Sequence, residues 1–135
     1  MVLNRYNDFR EYVASNYSAT TQEMVDRAIL FAAERMEGIT RYDGSPMLDH
    51  DIAVARIVAE EIGLGRNSIV GSIIHDVVRI AVQQHPEDIE ELSTTIRQEF
   101  GEEVLYAENG PGVEEYVKYY DALDPTTAEA LYKQA

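Results

Sequence analysis

Apolar residues recur three and four positions apart through nearly the whole chain, and no segment sustains the alternation of a strand. Leu3, Tyr6, Phe9, Val13 and Tyr17 fall on one stripe, which predicts a first helix over 3–15. Ser18-Ala-Thr-Thr-Gln-Glu then offers capping side chains for a second helix, whose inner face takes Val25, Ala28, Ile29, Ala32 and Met36 before Gly38 ends it. Turn formers crowd 39–46, the segment that carries Arg41. A third helix is predicted over 47–62, with Ile52, Ala55, Val58, Ala59 and Ile62 inward and Gly63-Leu-Gly as its stop. The fourth, over 69–82 with Asn67 or Ser68 as its cap, is apolar nearly all round and so belongs at the centre. Pro86 stops it and opens a fifth over 87–100. A short helix after Gly101 and through Ala107, and two more over 113–123 and 125–133, complete an all-α bundle of about six to eight helices. With no repeat or linker to divide them, residues 1–135 read as a single domain.

One polar pair interrupts the central helix. His75 and Asp76 lie inside Ser68-Ile-Val-Gly-Ser-Ile-Ile-His-Asp-Val-Val78, and an adjacent imidazole and carboxylate are costly to bury without a partner. A divalent ion held by both, with His50 arriving from the third helix, would supply one; such ligands suit Mn²⁺, Fe²⁺ or Zn²⁺. Arg79 offers another answer. It lies three residues beyond Asp76, where its guanidinium can pair with the carboxylate and take the place of a metal. His50 taken alone reads as a half-buried residue at a helix start, and His85, beside Pro86, as surface.

The chain contains no cysteine, which excludes disulfides and thiolate metal sites and fits a reducing cytoplasm. Eleven basic residues against 25 acidic ones give a net charge of −14, which argues against nucleic acid as a partner. No apolar run approaches the roughly 20 residues of a membrane helix, and the polar N-terminal residues do not resemble a signal peptide. Tyr116, Tyr119, Tyr120 and Tyr132 recur at near-helical spacing; the simplest reading is a packing face, the other a homodimer surface.

Over half of the chain resembles the hydrolase domain of the RelA/SpoT group, HD-superfamily enzymes that remove the 3′-pyrophosphate of ppGpp. The likeness rests on Arg41-Tyr-Asp-Gly-Ser-Pro-Met-Leu-Asp-His50, Ile52-Ala-Val-Ala-Arg-Ile-Val, Glu61-Ile-Gly-Leu-Gly, Ser72-Ile-Ile-His-Asp-Val-Val78 and Phe100-Gly, in that order. The resemblance implies an HD-type bundle and a role in the stringent response. It makes His50, His75 and Asp76 three of four Mn²⁺ ligands, with Asp121 of Lys118-Tyr-Tyr-Asp-Ala-Leu123 as the nearest match to the fourth. Arg41 matches a basic residue at the edge of the nucleotide pocket, so a guanosine polyphosphate is the implied partner.

The departures from that pattern bear on catalysis. The Glu-Asp pair that follows His-Asp-Val-Val in the family, and that prepares water and moves protons, is replaced by Arg79-Ile80. Arginine stays protonated and isoleucine has nothing to titrate, so neither is a base near neutral pH. Tyr42 stands at a second basic position of the pocket, Met36 at a histidine, and Pro125 at or near an asparagine. No synthetase segment follows within these residues. Three readings result: a metal-dependent phosphohydrolase with weak or lost catalysis; a helical pseudoenzyme in which Arg41, Tyr42 and Arg79 border a nucleotide, or in which the domain binds a protein, for regulation; or an incomplete or rearranged hydrolase domain, which the short gap from Asp76 to Asp121 suggests.

Overall fold

The computed structural model describes residues 2–105 together with Val117 and Tyr120. The fold is all-α, with six α-helices and no named strand among the described residues: α1 (Val2–Arg5), α2 (Asn7–Asn16), α3 (Ala19–Arg35), α4 (Met47–Arg56), α5 (Arg66–Gln84) and α6 (Ile89–Phe100). The helix predicted to be central is central: α5 packs against both α3 and α4. It buries eleven residues, from Ile69 to Ala81.

The inner stripes of the first two predicted helices are where the periodicity puts them. Phe9, Val13, Val25, Ala28, Ile29 and Ala32 are all buried in one core. Ser18 caps α3 as expected, its hydroxyl accepting from the amide of Thr21 at 3.1 Å. The predicted first helix, however, is broken at Tyr6, whose backbone leaves the helical region. The break lets its phenol donate to Asp49 Oδ1 at 2.7 Å, while Arg5 grips the same carboxylate through two bonds of 2.8 and 2.6 Å. These bonds hold the Asp49 carboxyl below its usual range, Arg5 contributing most and burial opposing. They tie the N-terminal segment to the first turn of α4.

The predicted third helix changes period along its length. After Arg56 it widens into a π-helical turn, Ile57–Ile62, with the Gly63 amide bonded five residues back to Val58 O at 2.9 Å. The wider turn rotates Ile62 off the stripe, so Ile62 is exposed rather than inward. Gly63, with φ 79°, ends the turn in the left-handed conformation. Helix α5 begins before the predicted caps, with Gly65 at its N-cap, and Asn67 instead donates to Glu103 Oε2 at 3.0 Å. Pro86 opens a short 3₁₀ turn, Pro86–Asp88, ahead of α6. The segment after Gly101 is likewise 3₁₀, Glu102–Leu105. The helices expected over 113–123 and 125–133 lie outside the described residues, apart from Val117 and Tyr120, which are helical and buried.

Tyr120 returns to the middle of α5. Its ring lies 5.8 Å from that of His75 and its hydroxyl donates to Ser68 O at 3.0 Å. Gly71 makes room for it: a Cβ there would stand 2.8 Å from Tyr120 Oη and 3.1 Å from Val104 O. Gly71→Ala should therefore destabilise the fold, although alanine is the better helix former. About 1–3 kcal/mol of overpacking against about 1 kcal/mol of propensity leaves a net loss on the order of 1 kcal/mol. Thermal unfolding reads the sign, and a stabilised variant would show that Tyr120 does not pack there.

Candidate metal centre

Two helices and one loop converge on a single point. Helix α4 contributes His50 and Asp51, and α5 contributes His75, Asp76 and Arg79. Arg41 comes from a loop closed by an isolated bridge between Thr40 and Pro46 and by Arg41 N bonding Ser45 O at 2.8 Å. Gly44, at φ 87°, turns that loop. The rings of His50 and His75 stand 5.8 Å apart. One ligand atom from each of His50, Asp51, His75 and Asp76 lies within 4.8 Å of the others. The three residues singled out from the sequence are thus brought together; Asp121, the fourth, lies outside the described residues.

The hydrogen bonds define which atoms face the centre. His75 Nδ1 lies 2.6 Å from Ser72 O, and a carbonyl only accepts, so Nδ1 carries the proton. Its Nε2 stands 3.6 Å from Asp76 Oδ2. Asp76 Oδ1 accepts from Arg79 Nε at 2.5 Å. Its Oδ2 is buried and has no hydrogen-bond partner among the described residues. Burial pushes the Asp76 carboxyl up, but the Asp51 side chain, His75 and Arg79 together outweigh it and hold it down at about 2. Imidazole nitrogens beside two buried carboxylates make a donor set that fits a divalent cation.

His50 is arranged differently. Arg41 Nη1 donates to its Nδ1, so that nitrogen supplies the lone pair and Nε2 bears the hydrogen, 3.7 Å from Asp76 Oδ2. Ligation of a metal through Nε2 requires Arg41 to leave Nδ1 and the tautomer to change. Arg79 also reaches Gln83 and Met47, with Nη1 3.4 Å from Gln83 Oε1 and Nη2 3.8 Å from Met47 Sδ. Tyr42 is 88% exposed beside Arg41, whose guanidinium stands 5.8 Å from the ring centre. Ile80 is half-buried against the core, and His85 is exposed as expected.

Asp51 is the residue that the motif did not mark. It is completely buried, and its Oδ1 lies 3.5 Å from His75 Nδ1. The segments that carry the likeness end at His50 and resume at Ile52, so they drew no attention to it. Helical spacing did carry a signal, because residue 51 lies four before Ala55 and seven before Val58, on the inward stripe.

No family model and no solved structure matches this chain. Over 94 residues, 70% of its length, it is 31% identical to a "Probable GTP pyrophosphokinase" of Mycobacterium leprae. The matched part is 11% of that protein, so the chain spans about a tenth of this relative's length. The similarity relates the chain to the RelA/SpoT group. Among the described residues, no helix is long and apolar enough to cross a membrane.

Two expected outcomes follow from the two arginines. Asp76, held below its ordinary value, contributes stability that is present above pH 3.8 and is lost as pH falls toward about 2. Arg79→Ala should raise the Asp76 value, move the acid-unfolding midpoint to higher pH and cost about 1–3 kcal/mol near neutrality, less than a fully buried pair because the Arg79 side chain is 24% exposed. Acid titration followed by circular dichroism checks it. Arg41→Ala should transfer the His50 proton population toward Nδ1, visible in the ¹⁵N shifts of the ring. Unchanged shifts would mean that Arg41 does not set the tautomer.

Proposed function

We propose that this domain binds a guanosine polyphosphate in the manner of a RelA/SpoT-type hydrolase domain, with phosphohydrolase chemistry weak or lost. The observation that carries the reading is the Arg79–Asp76 ion pair. A permanent cation is clamped onto the carboxylate at the edge where an acid–base pair would work, and Ile80 beside it is inert. His75 and Asp76 would hold a divalent ion, Mn²⁺ by the family's chemistry, with His50 joining once Arg41 releases it. Such an ion, when bound, polarises phosphate oxygens and acidifies water. Arg41 and Tyr42 lie at the rim, and Arg79 adds positive charge suited to holding a phosphate rather than cleaving a bond to it. The name of the Mycobacterium leprae relative speaks of pyrophosphate transfer to GTP, which supports a guanosine nucleotide as the ligand class.

A second reading is a regulatory, wholly non-catalytic domain. It draws on the same ion pair, and turnover separates the two. Calorimetric titration with ppGpp should show binding, while pyrophosphate release should fall roughly 10²–10⁴-fold below that of a site with an intact acid–base pair. Arg79→Glu combined with Ile80→Asp should raise the release. Failure to bind ppGpp, or rapid hydrolysis that the double change leaves untouched, would refute the proposal.

A further inference from the structure

We propose that Asp51 is a direct ligand of a divalent-cation site formed with His75 and Asp76, supplying the second carboxylate that the RelA/SpoT-like pattern draws from a later helix. The inference rests on the reading above only for the presence of a cation.

Asp51 has no solvent exposure, and its neighbours on the α4 stripe are Leu48, Ile52 and Ala55, all buried. An ionised carboxylate in such surroundings carries a desolvation cost of several kcal/mol unless positive charge meets it. A carboxylate oxygen of Asp51 lies within 4.8 Å of one of Asp76, so two acidic groups meet in the same water-poor space. The independent pointer is Asp76 Oδ2. Its carboxylate is anchored on the outer side by Arg79, while this inner oxygen faces the cluster with no hydrogen-bond partner among the described residues.

The rest of the set falls into place by donor chemistry. His75, its Nδ1 fixed on Ser72 O, offers Nε2 as an electron-pair donor. His50, with Arg41 on Nδ1, offers a hydrogen instead and is not ready to ligate. The atoms prepared to receive an ion are therefore one imidazole nitrogen and oxygens from two carboxylates, a mixture suited to Mn²⁺, Fe²⁺ or Zn²⁺. Two carboxylates also match the double charge of such an ion.

The 3.5 Å approach of Asp51 Oδ1 to His75 Nδ1 allows a different role, in which Asp51 only orients the imidazole, and the test must separate the two. Calorimetric titration of the full chain with Mn²⁺ should give one tight site, and Asp51→Asn should weaken it by more than about 100-fold. A loss within the 10–100-fold range typical of residues that support a ligand would overturn the assignment. So would an affinity that survives Asp51→Asn but disappears with His85→Ala, which would place the ion on the exposed trio His85, Glu87 and Asp88. If Asp51→Asn does not fold, wild-type protein with ¹³C-labelled aspartate decides: saturation with Zn²⁺ should shift the Asp51 carboxyl signal, and an unmoved signal refutes the proposal. Absence of any Mn²⁺ binding by the wild type would end both this inference and the cation in the functional reading. Binding indifferent to Asp51 ends this inference alone.

Discussion

Two carboxylates without access to water, Asp51 and Asp76, set the terms for this fold. They lie between the helices whose packing forms the centre of the bundle, where apolar side chains would be the inexpensive choice. Their presence obliges the surrounding chain to deliver compensation. Arg79 does so from within α5, one turn beyond Asp76, and the two histidines line the remaining side. Arg41 acts one step removed, through the His50 ring, from a loop that the Thr40–Pro46 bridge keeps short. A chain with net charge −14 thus commits two of its eleven basic residues to one small interior region.

The same arrangement accounts for the proposed pairing of relatedness to an enzyme group with weak or lost catalysis. The groups proposed to gather a cation are side chains of two well-packed helices, which hold such groups more precisely than loops do. The groups that would move protons sit at the edge, one turn further along α5. There Arg79 and Ile80 fit the packing of the bundle, and Arg79 helps to neutralise Asp76.

Much of this was legible in the residues. The periodicity named the central helix, the inner faces of α2 and α3 and the Ser18 cap, because each is a local decision repeated along the chain. The His50, His75 and Asp76 convergence was legible from motif order. The rest depended on three-dimensional events. Tyr6 leaves its helix to reach a carboxylate 43 residues away. The π-helical turn that exposes Ile62 has no residue signature that spacing rules detect. Asp51 stood on an inward stripe in plain view, yet acidic residues are ordinarily placed outside, and that default concealed it. The Arg41 contact with His50 needed the loop geometry as well as the sequence.

Tyr120 covers one face of the His75 ring, although it arrives 45 residues after it in the chain. A stretch cut at Leu105 would keep every helix from α1 to α6 and still lose this cover, leaving the imidazole open to water on that flank. The dielectric around the cluster, and with it the strength of every charge–charge attraction there, is partly governed by a residue outside those six helices. Borders chosen by helix boundaries alone would sever the cluster from its own insulation.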